Sequence, residues 1–430
     1  MFYIARTPSL IKRDITKELH LLLQEYPIVT VLGPRQAGKT TLVRHTLPDY
    51  AYVSLEDPDE RTLAIEDPRA FLKRYPGNTI FDEIQRAPVL LSYLQGIVDK
   101  EQKNGRFVLT GSHQLELRAA VAQSLAGRTS LLHLLPLSID ELKGAAITFG
   151  GFEEYVLHGF LPRVHSQNQR PYRAYANYYQ TYIERDVRQL IQLKDVSLFE
   201  KFIKLLAGRV GQLIDYQSLS NAVGVSANTI KQWLAVLEAS YVVIKLPPYF
   251  ENFGKRVIKS PKYYFTDVGL LAYLLGIETP TQVLRDPLLG NIFENLVVIE
   301  VLKQRYNKGR DADLYFFRDS NDNEIDLLCK TSDGLIGIEI KSASTWHGKF
   351  AKQLVRFATN NHSLYKSLVV YNGADIKLSN GVNAIHYSQL SQALVRQANP
   401  SLGWPDNNSL KNRRLKIYWS GVGTTDLDFI

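Results

Sequence analysis

The sequence of 430 residues has very little sulfur, with one cysteine, Cys329, and one methionine. A single cysteine excludes an internal disulfide framework and any zinc cluster built from cysteines, and it fits a reducing compartment. The sequence also lacks any run of about 18 consecutive apolar residues, the length that a membrane-spanning helix needs. Its first residues, Met1–Arg6, have no apolar core typical of a signal peptide. We therefore expect a soluble cytoplasmic protein with no membrane partner.

What is present is an ordinary globular composition with a basic excess. Hydrophobic residues make up 45% and charged residues 22% of the chain, as in folded domains, and the length predicts about two or three domains. Lysine and arginine number 51 against 43 aspartates and glutamates, which gives a net charge of +8. The excess favours an anionic partner such as nucleic acid, although a solvated basic surface would give the same count.

A glycine-rich segment is the strongest motif. It lies between the apolar run Ile28–Leu32 and the helix-favouring Leu42–His45, and it has the spacing GxxxxGK[ST]. Its residues are Gly33, Pro34, Arg35, Gln36, Ala37, Gly38, Lys39, Thr40 and Thr41. Gly33 and Gly38 permit backbone conformations that turn N–H groups inward, and the following helix adds its positive N-terminal end. The pattern predicts a phosphate-binding loop for ATP, with Lys39 on the outer phosphates and Thr40 on Mg²⁺.

Short apolar runs alternate with helical or polar segments through residues 1–165, and an amphipathic helix over residues 10–25 precedes them. The runs after the loop are Ala51–Leu55, Asn78–Phe81, Arg106–Leu109 and Leu131–Leu135. This alternation predicts an α/β domain with a parallel sheet covered by helices. The second of these runs leads into Asp82 and Glu83. In such a strand Asp82 would hold the Mg²⁺ shell and Glu83 would orient the attacking water.

Two later segments leave alternatives open. Thr110-Gly111-Ser112 follows a strand-like run, as does the sensor of AAA-type ATPases, where Thr110 or Ser112 would touch the γ-phosphate or the water. A simple strand-to-turn transition is the alternative. Arg128 is a candidate catalytic arginine, because a guanidinium matches phosphate oxygens, or it is a surface residue. Action on a neighbouring chain would require a symmetric homo-oligomer, whereas action within one chain would not.

These motifs together resemble those of prokaryotic AAA-type ATPases that carry a C-terminal domain of unknown function 4143. The similar segments are Gly33–Thr41, Phe81–Gln85, Leu109–Ser112, Leu125–Arg128, Gly159–Pro162 and Tyr182–Val187. The resemblance extends over about residues 1–395 and implies an ATPase architecture more than a pathway.

The middle of the chain has the pattern of a winged helix over residues 197–275. A helical connector, residues 166–196, precedes it and includes a tyrosine-rich helix over residues 172–193. Helical segments at 198–207, 216–222 and 227–239, the last with Ser226 as N-cap, precede strands at Tyr241–Leu246 and near Lys262–Phe265. In a DNA-reading version the contacts would come from Asn228, Thr229, Lys231, Gln232, Lys255, Arg256, Lys259 and Lys262. Two interpretations stay open. This region contacts the DNA backbone with low sequence specificity, or it serves only as a packing module beside the ATPase.

The C-terminal domain, residues 276–395, carries a second chemical pattern. Glu324–Cys329 and Leu335–Lys341 alternate as strands around a turn at residues 332–334. If Ser332 and Asp333 form the loop, Asp326 lies opposite Glu339; if Asp333 and Gly334 do, Asp326 faces Lys341. Either register places Asp326, Glu339 and Lys341 on one face of the sheet. Such crowding is poor for stability but suits a divalent metal.

An aspartate followed by Glu-x-Lys after a hairpin resembles the PD-(D/E)xK nuclease core, although Ile325 stands in place of the usual proline. The resemblance implies Mg²⁺ ligation by Asp326 and Glu339 and water activation or phosphate neutralisation by Lys341. It also implies a further metal ligand, Glu294, on the apolar helix 288–302. A restriction-endonuclease-like fold retained for binding or assembly is the alternative.

The sequence as a whole predicts a Mg²⁺-dependent ATPase that is coupled to nucleic-acid binding. The stronger form of this hypothesis adds cleavage of the nucleic acid. DNA is the favoured nucleic acid. The alternative is an ATP-dependent switch that binds DNA or protein and carries an inert nuclease-like domain. Residues 396–430 are rich in Asn, Ser, Gly and Pro and are predicted to be a flexible tail.

Overall fold

A parallel sheet forms the centre of the N-terminal region. In the computed structural model its strands are β1 (Ile28–Leu32), β2 (Ala51–Ser54), β3 (Thr79–Asp82), β4 (Phe107–Gly111) and β5 (Thr129–His133), in the order β2-β3-β4-β1-β5. All neighbouring pairs in this sheet are parallel. The α/β fold predicted from alternating apolar runs and helices is therefore confirmed.

The structure describes residues 10–112, 124–187, 196–249, 260–319, 321, 323–359, 364–379 and 381–394, with the side chains of 184–187 left out. Described residues up to Ala393 belong to one compact unit, and a second unit begins at Leu394. The predicted tail and the predicted wing cations Lys255, Arg256 and Lys259 lie outside the described residues.

Helices pack on both faces of the sheet. They are α1 (Thr16–Glu25), α2 (Lys39–Thr46), α3 (Pro58–Glu66), α4 (Pro68–Lys73) and α5 (Leu90–Glu101). Successive strand residues point to opposite faces. Ile80 on β3 accordingly joins a buried cluster with Leu19 of α1 and Val43 of α2, whereas its neighbour Phe81 packs against Phe71 of α4.

A series of short helices leads away from the sheet. They are α6 (Ile139–Gly144), α7 (Phe152–His158), α8 (Pro162–Ser166) and α9 (Pro171–Tyr178). The tyrosine-rich segment changes from α9 to a π-helix, Tyr179–Val187, so the predicted single helix is divided in its described part. Helix α6 begins with a capping box in which Ser138 and Glu141 satisfy each other's backbone N–H groups.

The middle region contains the elements predicted for it. They are α10 (Val196–Ala207), α11 (Tyr216–Val223), α12 (Ala227–Ala239), and the antiparallel strands β6 (Val243–Leu246) and β7 (Lys262–Phe265). Ser226 Oγ accepts a hydrogen bond from the Thr229 N–H at 3.1 Å, which confirms the predicted N-cap of α12. Trp233 of α12 packs against Phe199 and Phe202 of α10. DNA binding by this region stays a prediction.

A mixed sheet forms the C-terminal region. The helices before it are α13 (Val268–Leu274), α14 (Pro280–Arg285) and α15 (Leu289–Tyr306). The strands are β8 (Leu314–Arg318), β9 (Glu324–Thr331), β10 (Gly334–Lys341), β11 (Leu364–Tyr371), β12 (Ile376–Lys377) and β13 (Val382–His386), in the order β12-β13-β11-β10-β9-β8. A 3₁₀ turn (Gly348–Ala351) and α16 (Lys352–Thr359) precede β11, and a 3₁₀ turn (Tyr387–Gln389) leads into α17 (Leu390–Leu394).

The β9–β10 hairpin has one of the two predicted registers. Thr331 pairs with Gly334 and Leu327 pairs with Ile338. The next pair outward is therefore Asp326 with Glu339, which confirms a loop formed by residues 332 and 333. The register that would place Asp326 opposite Lys341 is wrong.

Helix α15 packs against the N-terminal region through buried polar groups. Glu300 accepts a hydrogen bond from the Ile139 N–H at 2.9 Å, and Lys303 Nζ donates to the Leu137 carbonyl at 2.7 Å. Lys303 also pairs with Glu300 at 2.7 Å. Buried charges are tolerated when they are paired and hydrogen-bonded in this way. Within the described ranges no helix has both the length and the apolar character needed to span a membrane.

Candidate functional site

A cavity of about 890 Å³ lies at the carboxyl end of β1; we call it the P-loop cleft. Parallel α/β sheets bind ligands at this end of their strands. The glycine-rich loop lines it with Arg35, Gln36, Gly38, Lys39, Thr40 and Thr41. Other regions contribute Leu10, Ile11, Lys12, Arg13, Glu83, Pro162, Arg163 and Tyr182. The sequence did not indicate that the segment before α1 or the residues of α8 would line this cleft.

Two glycines are required by the geometry of the loop. Gly38 has φ 91° and caps the N-terminus of α2, a left-handed conformation that side chains oppose. A Cβ at Gly33 would collide with the carbonyl oxygen of Leu134. The loop therefore lies flat against the chain that follows β5, with its N–H groups at a helix N-terminus, where anions bind.

Lys39 lies inside the loop. Its Nζ donates to the carbonyl oxygens of Gly33 and Pro34, at 2.9 Å each. Burial lowers the pKa of Lys39, while the charges of Glu83 and Asp82 oppose this effect. The ammonium group is thus positioned by backbone carbonyls and makes no direct ion pair with the nearby acids among the bonds described.

Asp82 ends β3 beside the loop and accepts three hydroxyl hydrogen bonds. Thr40 Oγ1 donates at 2.9 Å and the Tyr52 hydroxyl at 2.8 Å, and Thr110 Oγ1 makes a further short contact. Burial and the charge of Asp82 raise the pKa of Tyr52, which keeps this phenol a neutral donor. Hydroxyl and carboxylate oxygens are the ligands that Mg²⁺ prefers. Thr40 and Asp82 therefore fit the predicted metal position.

Glu83 is fixed at the edge of the same cleft. It adopts a left-handed conformation, φ 58°, and its N–H donates to Thr110 Oγ1 at 3.2 Å. Ser112 Oγ donates to the Glu83 carboxylate at 3.0 Å, and the amide of Gln85 contacts the same oxygen. Thr110 thus contacts both acidic residues, and Ser112 contacts Glu83. Their direct action on the γ-phosphate stays a prediction.

Arg13 is a loop-supporting residue that the sequence analysis missed. Its guanidinium donates to the Ala37 carbonyl and the Leu135 carbonyl, each at 2.7 Å, and to Glu141 of α6 at 2.9 Å. No local pattern distinguishes this arginine in the sequence, because its partners are far along the chain. Arg35 of the loop lies over the ring of Tyr182, with its guanidinium carbon 5.7 Å from the ring centroid.

Arg128 lies at the opposite edge of the sheet. It directly precedes β5, and its carbonyl accepts a hydrogen bond from the N–H of Ile28, the first residue of β1. The P-loop follows the other end of β1, about 16 Å away for five residues of strand. Arg128 also forms an ion pair with Asp99 of α5. The structure thus does not bring Arg128 to the P-loop of its own chain, and a catalytic role for Arg128, within one chain or on a neighbouring chain, stays a prediction.

The hairpin brings the predicted C-terminal residues together. Lys341 Nζ lies 2.9 Å from Asp326 and 2.8 Å from Glu339, and Asp326 also accepts the Ile340 N–H at 2.7 Å. Burial raises the pKa of Glu339, and the adjacent charge of Asp326 raises it further. Glu339 is 3% exposed, and no donor among the described residues reaches its Oε1. The carboxylates of Asp326 and Glu339 face each other, and such a pair can share a cation or a proton.

Lys262 completes this group and corrects the prediction made for it. It is 4% exposed, and its Nζ lies 3.1 Å from Glu294 and 2.6 Å from Glu324. A lysine buried in this way cannot serve as a wing residue that offers its charge to phosphates. Glu294 also accepts a hydrogen bond from the Tyr264 hydroxyl at 2.5 Å. We call this group the carboxylate cluster; its members are Lys262, Glu294, Glu324, Asp326, Glu339 and Lys341.

The electrostatics of Glu294 connect the two halves of the carboxylate cluster. Burial raises the pKa of Glu294, Lys262 opposes this shift, and the charge of Asp326 adds to it. Within the described part of the chain, no three His, Cys, Asp or Glu side chains are arranged to hold a metal ion. The predicted ligands Glu294, Asp326 and Glu339 belong to one cluster, but the ion-pair partners of their carboxylates are Lys262 and Lys341. Mg²⁺ binding there stays a prediction.

Comparison with protein families divides the chain into three segments. Residues 25–143 match an AAA domain, residues 150–281 a domain of unknown function 8612, and residues 289–390 a domain of unknown function 4143. An uncharacterized protein of Mycobacterium tuberculosis is 32% identical over 384 residues, which cover 88% of this chain and 84% of that protein. The chain belongs to the AAA-domain family with a C-terminal domain of unknown function 4143. The resemblance inferred from its motifs is confirmed.

More distant similarities extend over a smaller share of the chain. An uncharacterized protein of Haemophilus influenzae is 25% identical over 252 residues, covering 55% of this chain and 59% of that protein. Among solved structures, a Walker-type ATPase of Pyrococcus abyssi is 14% identical, with a TM-score of 0.42, and covers 63% of this chain and 97% of its own. Both sequence relatives are uncharacterized, so family membership brings an architecture and no pathway.

Proposed function

We propose that the chain hydrolyses ATP with Mg²⁺ at the P-loop cleft. The observation that carries this proposal is that Lys39, Thr40 and Glu83 line one cavity while Asp82 contacts Thr40 beside it. Thr40 and Asp82 are already in contact at 2.9 Å, and Ser112 and Gln85 donate to the carboxylate of Glu83. A turn that merely resembled a phosphate-binding loop would not need a buried aspartate and a half-buried glutamate at the end of a second strand.

Each residue has a distinct role in this proposal. The loop N–H groups and Lys39 bind phosphate oxygens, and Lys39 exchanges its carbonyl partners for them. Mg²⁺ held by Thr40 and Asp82 would neutralise charge on the β- and γ-phosphates. Glu83 orients the attacking water and accepts its proton, while Ser112 and Gln85 hold the carboxylate in place.

We further propose that this ATPase is coupled to nucleic-acid binding, and to cleavage, by the C-terminal region. Asp326 and Glu339 would hold Mg²⁺ together with Glu294, and Lys341 would neutralise phosphate or activate water. The buried oxygen of Glu339 that lacks a donor supports a cation at this point. The net charge of +8 supports a polyanionic substrate.

A physical connection for the coupling runs through α6. Arg13 contacts the loop at the Ala37 carbonyl and pairs with Glu141 of α6. Glu300 of α15 accepts from the N–H of Ile139, the first residue of the same helix. Helix α15 also carries Glu294 of the carboxylate cluster. A shift of the loop on nucleotide binding would therefore pass through Arg13 and α6 to α15. Helix α15 would carry it to the carboxylate cluster.

The second candidate is an ATP-dependent switch that binds DNA or protein and has an inert nuclease-like domain. It is favoured by the two lysines of the carboxylate cluster, because Lys262 and Lys341 already neutralise the carboxylates on which metal-dependent cleavage would depend. Fold resemblance alone does not establish a nuclease activity.

One pair of assays separates the two candidates. ATP turnover is measured with and without DNA, and Mg²⁺-dependent cleavage of plasmid and branched DNA is measured for the wild type and for Asp326→Ala. Cleavage that is lost in Asp326→Ala, with ATP turnover intact, supports the nuclease. If the wild type turns over ATP but cleaves no DNA or RNA substrate, the nuclease is excluded and the switch remains.

A further inference from the structure

Lys262 is the one member of the carboxylate cluster that comes from the middle region. Its strand, β7, pairs with β6 and lies some 60 residues before β9 in the chain. Its ammonium group contacts Glu294 of α15 and Glu324 of β9. The lysine thus joins two elements of the C-terminal region from outside it.

The charges around Lys262 indicate that another cation could occupy its position. Glu294, Asp326 and Glu339 share Lys262 and Lys341, so one negative charge is uncompensated when all three are ionised. Glu324 has a second cation, Arg318, at 3.4 Å. Because Arg318 also pairs with Glu324, the charge of Lys262 is shared between Glu324, at 2.6 Å, and the inner carboxylate Glu294, at 3.1 Å. Burial lowers the pKa of Lys262, but Glu294, Glu324 and Asp326 outweigh this effect and raise it.

We propose that Lys262 is a resident cation of the carboxylate cluster that competes with a divalent metal ion for Glu294 and Asp326. This inference rests on the metal site of the proposed function and adds how its affinity is set. With Lys262 in place the cluster binds a divalent cation weakly. Loss of this positive charge would leave Glu294, Asp326 and Glu339 free to bind the metal.

The test is the binding of Mn²⁺ alone to the full chain, measured by calorimetry and by the electron paramagnetic resonance of free Mn²⁺, without nucleotide. A loss of Mn²⁺ binding in Glu339→Gln assigns that binding to the carboxylate cluster, because this substitution leaves the P-loop cleft intact. Lys262→Met is expected to bind Mn²⁺ at least about tenfold more tightly than the wild type, since a unit charge at this distance is removed. Lys262→Arg keeps the charge and is expected to bind as the wild type does.

Lys245→Met is the matched control, because Lys245 is an exposed lysine on the neighbouring strand β6. Its Mn²⁺ affinity should equal that of the wild type. Should Lys262→Met fail to fold, the double variant Lys262→Met with Glu324→Gln removes the lysine and its outer partner together. The same increase in affinity is expected for this variant.

Two results would overturn the inference in distinguishable ways. If the wild type binds Mn²⁺ and Lys262→Met binds it equally or more weakly, Lys262 does not compete and the metal site stands. If neither Lys262→Met nor the double variant binds Mn²⁺ while thermal unfolding shows both to be folded, the metal site of the proposed function fails as well.

Discussion

The P-loop cleft and the carboxylate cluster both place lysine beside acidic residues, but in opposite ways. Lys39 is bonded to two backbone carbonyls, while hydroxyl and amide groups hold the acids Asp82 and Glu83. In the carboxylate cluster Lys341 and Lys262 pair directly with the carboxylates. The first site keeps its cation and its acids separate, which is the arrangement that the proposed binding of a phosphate and a metal requires. The second is largely neutralised from within.

Glu83→Gln tests the acid of the first site and should have the largest effect. The amide cannot accept a proton from water, so ATP turnover should fall by about 10²- to 10⁴-fold while ATP still binds. Phosphate release and binding of a fluorescent ATP analogue measure the two properties. Glu66→Gln, an exposed acid at the end of α3 and outside the lining of the P-loop cleft, is the control and should change turnover little. Normal turnover in Glu83→Gln would overturn the assignment of hydrolysis.

Lys39→Ala tests the cation of the first site. Loss of the ammonium removes charge stabilisation at the outer phosphates, so turnover should fall by about 10²- to 10³-fold. Nucleotide affinity should fall too, unlike in Glu83→Gln. The same two assays apply, with Lys73→Ala at the exposed end of α4 as the control. Retention of both turnover and affinity would mean that the loop does not bind the triphosphate.

Glu339→Gln tests whether the second site holds one carboxylate more than its lysines neutralise. Burial and Asp326 raise the pKa of Glu339 above its ordinary value of 4.5, so the folded state favours the protonated form. The wild type should therefore lose stability as the pH rises above this value, and the loss should end once the pH exceeds the raised pKa.

In Glu339→Gln this loss should be reduced by about 1 kcal/mol or more, because each unit of pKa shift corresponds to that order of free energy. Urea unfolding across a pH series in EDTA measures it. Glu278→Gln, an exposed glutamate before α14, should keep the wild-type pH profile. An unchanged profile in Glu339→Gln would contradict the crowding of charge in this cluster.

Arg128→Ala should have the smallest effect. Because Arg128 lies at the amino edge of the sheet, turnover of the single chain at low concentration should not change. Asp99→Ala removes the same ion pair and is the matched control. Turnover that rises with protein concentration in the wild type and in Asp99→Ala, but not in Arg128→Ala, would support action on a neighbouring chain. A loss in Arg128→Ala at the lowest concentration would contradict its placement.

Local patterns were enough to predict much of the fold and of the first site. The spacing from Gly33 to Thr41, the acids after β3 and the alternation along β9 and β10 are all features of contiguous sequence. The predicted turn at residues 332–334 left only two registers, and the structure has one of them. Such features follow from backbone periodicity, which depends on neighbours in the chain.

What the sequence did not indicate depends on partners distant in the chain. Lys262 lies in a strand pattern, and nothing nearby reveals that Glu294 and Glu324 surround it. Arg128 precedes a strand, but which edge of the sheet it occupies depends on how β1 pairs with β5. Arg13 joins α6 to the loop across more than a hundred residues. Tertiary packing determines each of these positions.

A crystal structure of Glu83→Gln with ATP and Mg²⁺ tests the contrast between the two sites most directly. We predict that Lys39 leaves the carbonyls of Gly33 and Pro34 for the outer phosphates and that Mg²⁺ lies between Thr40 and Asp82. Lys341 should remain paired with Asp326. Nucleotide bound away from the loop, or Lys39 still on its two carbonyls with ATP present, would contradict the account.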